Sequence, residues 1–507
     1  MTKATIAACS ISFLLALSTR ADEEPKVEAQ PLHIGALQEF GYIVDGTYLA
    51  GTEKSRLVHQ DWVDHFGAFI TKDVTVEDRL HLSAGLGGVF QFRKPETVGL
   101  GFAFHQRKAF FVGPTKAEAV YDIGEVGKPW LQLGTGMFGY KYNPQAANLG
   151  EYLFRSGAYP TYNYTGGYVI ANSAGTALEG FKALFRKGNF KGDLLLFTET
   201  GLAPMYDWSL AGVASYSVAD GLLEVGAGFN LQRLIQVRPS RTANPVIGNS
   251  YFDVNGETFV GQKEFYGNPA RFYAARADSM TAKDPVANAA KIEDYRARAA
   301  SFAAKAVIVD SIQTLDASAR PATKHYSAAA ILLMARATLD AKKLFSSDAF
   351  GAEDFKLYAE VDVQGVQNYP VYYEKITDRM PVMFGINLPG FKILDLIAVQ
   401  GEYLHSPWLN NTFQRGRNAF NTPYLPDPLD ANLSKDDYND AATKDDFKWT
   451  VQLKKNLGGN VSLWAQAASD HLRMPSSFYF YGPQFDHNEV TALDNQWYWM
   501  AQISWGI

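Results

Sequence analysis

The 507-residue chain holds a single cysteine, Cys9, and it lies close to the start. A chain trimmed behind that point has none, which excludes disulfides, thiolate metal sites and cysteine nucleophiles. A large exported chain without cysteine is also unlike a small disulfide-stapled secreted domain. Beyond residue 21 there is no run of 18 consecutive apolar residues, so helical membrane spans are excluded. A basic surplus is missing too. Setting aside Lys3 and Arg20, 45 basic residues stand against 53 acidic ones, which argues against nucleic acid as a partner. Gly-x-Ser-x-Gly, HExxH and phosphate-loop motifs are absent. The 9 histidines are scattered without ligand spacing, so no catalytic residue, metal or cofactor is assigned.

What is present begins with an export signal. Lys3 precedes an apolar-biased stretch from Ala4 to Leu17. Thr19-Arg20-Ala21 then places small residues at −3 and −1 before the acidic run Asp22-Glu23-Glu24. This pattern predicts a signal peptide over 1–21, cleaved after Ala21. Ile6-Ala7-Ala8-Cys9 looks like a lipoprotein acylation box, but the five residues before it leave no hydrophobic region in front.

Mean hydropathy is low, −0.16, yet 14% of residues are aromatic and 43 are glycine. A wall with one wet face and one apolar face needs that combination. Several segments alternate with period two. Phe355, Leu357, Ala359, Val361 and Val363 interleave with Lys356, Tyr358, Glu360, Asp362 and Gln364. Phe447, Trp449, Val451 and Leu453 interleave with Lys448, Thr450, Gln452 and Lys454. Leu223 to Leu231 interleave with Glu224 to Gln232, Leu80 to Phe92 oppose Arg79, His81 and Ser83, and Phe181, Ala183 and Phe185 oppose Lys182 and Arg186. Soluble sheets alternate as well. These runs, however, extend about ten residues rather than five or six, and no blade-length repeat is visible.

The last such run is Trp497 to Ile507. It sets Trp497, Trp499, Ala501, Ile503, Trp505 and Ile507 on one face and Tyr498, Met500, Gln502, Ser504 and Gly506 on the other. Aromatics on an apolar face suit a lipid-facing belt. Here the chain resembles bacterial outer-membrane β-barrel proteins, whose final strand closes the barrel and carries an assembly signal. The resemblance assigns that signal to Trp505 and Ile507, although it usually ends in Phe. It implies outer-membrane lipid and the barrel-assembly machinery as partners, and it allows a homotrimer.

Connection lengths extend the argument, because such barrels alternate short periplasmic turns with long outer loops. Short connections fall at Leu457–Gly459, Leu388–Phe391, Ala219–Gly221, Gly188-Asn189, Gly124–Lys128 and Lys72–Asp78, with a medium one near Lys342–Asp354. Longer ones fall at about 45–59, 93–115, 141–175, 200–208, 236–324, 365–377, 405–445 and 473–495. The prediction is an all-β, transmembrane antiparallel barrel of about 16 strands over 32–507, preceded by a short periplasmic segment, 22–31. Eighteen strands follow if Ala109–Val112 is a strand separate from Thr115–Ile123. The loop 236–324 carries a helical pattern over about 285–316, with Asp284 as N-cap and Ile292, Tyr295, Ala299, Phe302 and Ala306 on one face. It is expected to pack on neighbouring loops at the barrel mouth. The loop 405–445 is polar, and its Asp436, Asp437 and Asp440 do not match an EF-hand spacing.

In 16-strand porins the third loop folds into the lumen and sets the pore size. The loop 141–175 resembles it by position, which makes Glu151, Arg155, Tyr159, Tyr162 and Tyr164 the candidate constriction residues. Glu151 and Arg155 are placed to share a face of a short helical turn. The lumen lining is expected to include Arg79, Lys182, Arg186, Glu224, Lys356, Glu360, Asp362, Lys448, Gln452 and Lys454, a mixed set that sets no ion preference. The resemblance implies a porin-like, non-enzymatic outer-membrane channel for passive diffusion of small hydrophilic solutes. The alternatives are a barrel serving surface binding or adhesion through its long loops, and a barrel-embedded enzyme. An energised receptor is disfavoured, because 22–31 is too short for a plug.

Overall fold

The computed structural model describes residues 26–45, 47–49, 56–58, 61–92, 108–146, 149–156, 162–163, 176–198, 206–237, 239, 250–252, 258–260, 264–313, 330–345, 348–366, 376–404, 446–469, 473–479, 482–489 and 496–506. The expected signal peptide, Ile507 and the acidic run 436–440 lie outside them.

Sixteen strands make the wall. They are β1 (His33–Asp45), β2 (Asp61–Val76), β3 (Leu80–Phe92), β4 (Lys108–Glu125), β5 (Lys128–Tyr140), β6 (Thr176–Lys187), β7 (Phe190–Thr198) and β8 (Trp208–Val218). They continue with β9 (Leu223–Ile235), β10 (Ala330–Asp340), β11 (Lys356–Val363), β12 (Val382–Asn387), β13 (Leu396–Tyr403), β14 (Phe447–Gly458), β15 (Val461–Ala468) and β16 (Trp497–Gly506). Each pairs antiparallel with its neighbours in sequence. The last pairs with the first, from Gly35↔Gly506 to Ile43↔Tyr498, so the sheet is closed. A closed sheet has no edge and leaves no ladder unpaired. The segment before the barrel is not a plain tether. Its Val27–Ala29 adds a short strand against Val74–Val76 of β2, and Lys26 pairs with Asp78 at 3.0 Å.

The count is 16 because β4 is continuous. Ala109–Val112 and Ala117–Ile123 belong to one 18-residue strand. In the register with β3, Gly85 faces Lys116 and Leu86 faces Pro114, so Thr115 is the extra residue of a bulge. The two glycines of β3 accept it. A Cβ at Gly85 or Gly87 would stand 2.6 Å from the Thr115 side chain. The first turn is also shorter than expected: β2 runs on to Val76, because Lys72–Val76 pair with Leu80–Ala84. Long and short connections alternate from one end of the chain to the other.

Alternation sorts the side chains. On β11 the residues Tyr358, Glu360 and Asp362 are buried, while Leu357 is 44% exposed. On β14 Lys448, Thr450 and Gln452 are buried between exposed Phe447 and Leu453. The outward face is apolar, as a wall against hydrocarbon requires.

The insertion between β9 and β10 contains two helices, α1 (Glu264–Lys283) and α2 (Ala289–Gln313). Asp284 accepts hydrogen bonds from the amides of Val286 and Ala287 at 3.0 and 2.9 Å and ends the turn between them. The apolar stripe of α2 packs on α1. Tyr273, Ala277, Ile292 and Tyr295 are buried together, and Phe302 stacks on Tyr273 at 5.8 Å. The sequence pattern did not reveal α1, which carries Gly267 and Pro269 near its start; among its described side chains Tyr273 and Ala277 are the buried ones.

The closing strand generates a graded expectation. Ile503→Arg should cost about 2 kcal/mol and Trp505→Arg, near the rim, about 1 or less, since the penalty for charge on the lipid face falls with distance from the midplane. Heat-resistant electrophoretic migration of the folded barrel checks it, with Ile503→Arg the more damaging.

Candidate constriction site

Gly150 and Glu151 are both in the left-handed region, with φ of 86° and 58°, and turn the β5–β6 loop inward. A 3₁₀ turn, Tyr152–Phe154, follows, and then Arg155–Ser156 pair with Tyr162–Asn163. Leu149, Tyr152 and Leu153 are completely buried. The patch of the inner wall that receives Leu153 is apolar. Phe138 and Tyr140 of β5, Leu178 of β6, Leu195 and Phe197 of β7, and Leu332 and Met334 of β10 form one core with Leu153 and Phe154. Phe154 stands 5.5 Å from both the Tyr140 and Phe197 rings. Burying a Leu and a Phe side chain contributes about 1.5–3 kcal/mol each. The loop covers this patch, so the patch is not wet.

The other fastening is polar. Glu360 of β11 accepts the Tyr142 hydroxyl at 2.7 Å, the Asn143 side-chain amide at 2.6 Å and the Tyr152 backbone N–H at 3.0 Å. Glu402 of β13 accepts the Tyr152 hydroxyl at 2.8 Å. Gln400 of β13 donates to the Gln145 carbonyl at 2.7 Å, and Asn387 of β12 to its side chain at 3.0 Å. Asn230 of β9 donates to the Leu153 carbonyl at 2.8 Å. β5 and β13 are eight strands apart in a ring of sixteen, so the loop leaves one side and is fastened on the other. Burial lifts the Tyr142 phenol well above its ordinary range, and the Glu360 charge lifts it further. It therefore stays a donor. Each hydrogen bond to a charged acceptor contributes roughly 1.5–3 kcal/mol.

The expected constriction residues divide. Glu151 is buried, and its carboxylate accepts the Asn143 N–H at 3.2 Å, so it braces the loop. The helical turn stops at Phe154, so Glu151 and Arg155 share no helix face. Arg155 and Tyr162 have backbone positions in the small ladder, Asn163↔Arg155 and Tyr162↔Ser156. Tyr159 and Tyr164 lie outside the described residues.

The expected lining residues are mostly tied to partners on the wall. Lys182 of β6 reaches over β5 to Glu118 of β4. Gly134 of β5 makes this passage, since a Cβ there would lie 2.7 Å from the lysine Cε. Arg186 pairs with Asp193 of β7. Glu224 holds Lys191 at 3.1 Å and Arg336 at 2.6 Å, and Lys356 holds Glu353 at 2.7 Å. Lys448 is buried on β14 opposite Glu402. Gln452 donates to Gln466, which donates to Tyr498, both at 2.7 Å. Lys454 is half-buried further along the same face. Arg79 lies in the β2–β3 turn and donates to the carbonyls of Asp122 and Gly124, so it ties a turn rather than lining a passage. Asp362 is buried beside Glu360, and neither of its oxygens has a hydrogen-bond partner among the described residues. Tyr142, Asn143, Gln400 and Glu402 were not singled out from the sequence. Alternation along β13 marks the side that Gln400 and Glu402 face but not what they meet, and Tyr142 and Asn143 lie in the loop, where alternation gives no signal.

Among the described residues no group of three or more His, Cys, Asp or Glu side chains is placed to hold a metal. No protein-family model matches the chain, and no curated protein does. Among solved structures it is similar to OprB of Pseudomonas putida, with 11% identity, a TM-score of 0.45 and 94% of each chain covered. A mutant porin of Rh. blastica shows 8% identity and a TM-score of 0.36 over 94% of this chain and 100% of its own. The outer membrane channel DcaP of Acinetobacter baumannii shows 9% and 0.38 over 94% and 97%. These likenesses are distant, and the architecture rests on the strand pairing within the chain itself. Its resemblance to 16-strand porins is one of barrel architecture, with no subfamily assigned.

Proposed function

We propose that this chain is an outer-membrane channel for passive diffusion of small hydrophilic solutes, with the β5–β6 loop as its constriction. The observation that carries this is the loop's attachment to Glu360, Gln400 and Glu402, across the barrel from the strand it leaves. Sixteen strands enclose an aqueous channel rather than a filled interior. A loop drawn across that space narrows it, and a passage of this kind filters by size and by the charge it presents. Transport then needs no bond chemistry, and no enzymatic step is proposed. In this orientation the short turns are periplasmic and the long loops outside. Residues 1–21 direct export, and Trp505 and Ile507 engage the assembly machinery. Glu151 braces the anchored base, while Arg155, Tyr159, Tyr162 and Tyr164 make the working edge. The mixed ion pairs of the wall favour neither ion sign. A homotrimer is the assembly that would accompany this function.

The second proposal, a barrel for surface binding, is favoured by the α1–α2 hairpin, whose 25-residue α2 reaches about 37 Å. Conductance separates the two. In planar bilayers, deletion of residues 149–165 should raise single-channel conductance and admit larger sugars. Arg155→Glu should shift ion preference towards cations. If both leave conductance and selectivity unchanged, the loop lies outside the pore and surface binding is favoured.

Glu360→Ala strands three donors, each roughly 1–3 kcal/mol when left unpaired in a buried place. Its channels should be wider and flicker between levels, with the heat-resistant barrel retained. A single unaltered conductance level would remove Glu360 from this role.

A further inference from the structure

We propose that Arg336 of β10 competes with the β5–β6 loop for Glu360, which gives the loop a second state, released on its β11–β13 side. The proposal deepens the reading of this loop as the constriction and rests on it.

The two carboxylates that hold the loop lie in one row of the wall. Across the paired strands, Arg336 of β10 stands opposite Glu360 of β11, and Glu360 opposite Met383 of β12. Met383 stands opposite Glu402 of β13, and Glu402 opposite Lys448 of β14. All five side chains are buried, and residues paired in this way share a face of the sheet. The row reads cation, carboxylate, methionine, carboxylate, cation, so its formal charges cancel without the loop. The donors that the loop gives these carboxylates are all neutral: two tyrosine hydroxyls, a side-chain amide and a backbone N–H. Removing the loop therefore leaves no net charge on the row.

With the loop in place, Arg336 is turned the other way. It lies over Gly226 of β9, and its Nη2 donates to Glu224 at 2.6 Å. Its Nε and Nη1 are buried and have no hydrogen-bond partner among the described residues. Glu224 has other donors, Lys191 at 3.1 Å and the Ser217 hydroxyl at 3.3 Å. Asp362, the next inward residue of β11 after Glu360, is buried with both oxygens unpartnered among the described residues. A guanidinium with spare donors and a carboxyl with none thus lie on neighbouring strands, on the same face. Buried polar groups left open are costly, and a half-satisfied network favours any arrangement that completes it.

Rotation of the Arg336 side chain towards β11 brings it to Glu360, its direct cross-strand neighbour, with Asp362 beside it. The loop's donors lose that carboxylate in the exchange. Lys448 stands in the same relation to Glu402 and its tie to Tyr152. The remaining ties on that side, from Gln400 and Asn387 to Gln145, join neutral groups and are weaker. Leu153 and Phe154 keep their apolar contacts with β5, β7 and β10, so the loop stays attached there while its β11–β13 side opens.

The test puts a reporter under the loop. Met383 is completely buried and packs with Ala146, Leu149 and Tyr152. With Cys9→Ser, a Met383→Cys change supplies the only thiol of the full-length chain. Its rate of modification by a water-soluble maleimide reads release, scored on the heat-resistant folded band. In that background Arg336→Met should slow modification and Glu224→Gln, which frees Arg336, should speed it, each by roughly tenfold, the equivalent of one charge-assisted hydrogen bond. In the double variant the effect of Glu224→Gln should vanish. If the Arg336–Glu224 pair only braces the wall, both single variants speed modification. That outcome, unchanged rates, or a Glu224→Gln effect that persists without Arg336 would overturn the proposal. Arg336→Gln serves in the same comparison if the methionine variant does not reach the folded band. Labelling needs no conductance, so barrels that never conduct would sink the channel reading and leave this result standing.

Discussion

A strand that crosses hydrocarbon has no water to satisfy its N–H and C=O groups, and each one left open costs several kcal/mol. Pairing of β16 with β1 answers that demand, and most of the molecule follows from it. Closure forces the alternation of apolar and polar faces, because each strand then has an outside and an inside. It also leaves connections only at the two ends. One end keeps mostly short turns, while the other carries the insertions, including α1 and α2.

Sixteen strands enclose more space than side chains alone can fill. The β5–β6 loop occupies part of it with two unlike attachments. From its own strand round to β10 it binds by apolar contact, through Leu153 and Phe154 against Phe138, Phe197 and Leu332. Across the barrel it binds by hydrogen bonds to Glu360, Gln400 and Glu402. Apolar contact tolerates sliding, whereas a carboxylate held by three donors fixes position. Glu360 is thus what makes the loop a part of the wall rather than a flap.

Glycine has a particular use in this wall. Gly134 lets the Lys182 side chain cross a strand to Glu118, Gly226 lies under Arg336 on its way to Glu224, and Gly85 and Gly87 take the bulged Thr115. In each case a side chain runs along the barrel surface where any Cβ would collide with it. The ion pairs of the lumen depend on these gaps as much as on the charges themselves.

Period-two alternation and connection length are local properties, and local sequence determined what depends on them. The strand number, the closing strand, the order of turns and loops, and the inward side of Glu360, Lys448 and Gln452 could be read along the chain. The Asp284 turn could in part, because a side chain of this kind bonds amides two and three residues ahead, although the helix itself begins at Ala289 rather than at Pro285. Other features lie between residues far apart in sequence. Glu360 and Tyr142 are separated by 218 positions, and Tyr152 and Glu402 by 250. Alternation says that a carboxylate faces inward but not whether water or a loop meets it there. Only the curvature of the closed barrel, which sets β13 across from β5, made Glu360 an anchor instead of a pore-lining charge. The same holds for α1, whose weak stripe became a helix partner only once α2 lay against it.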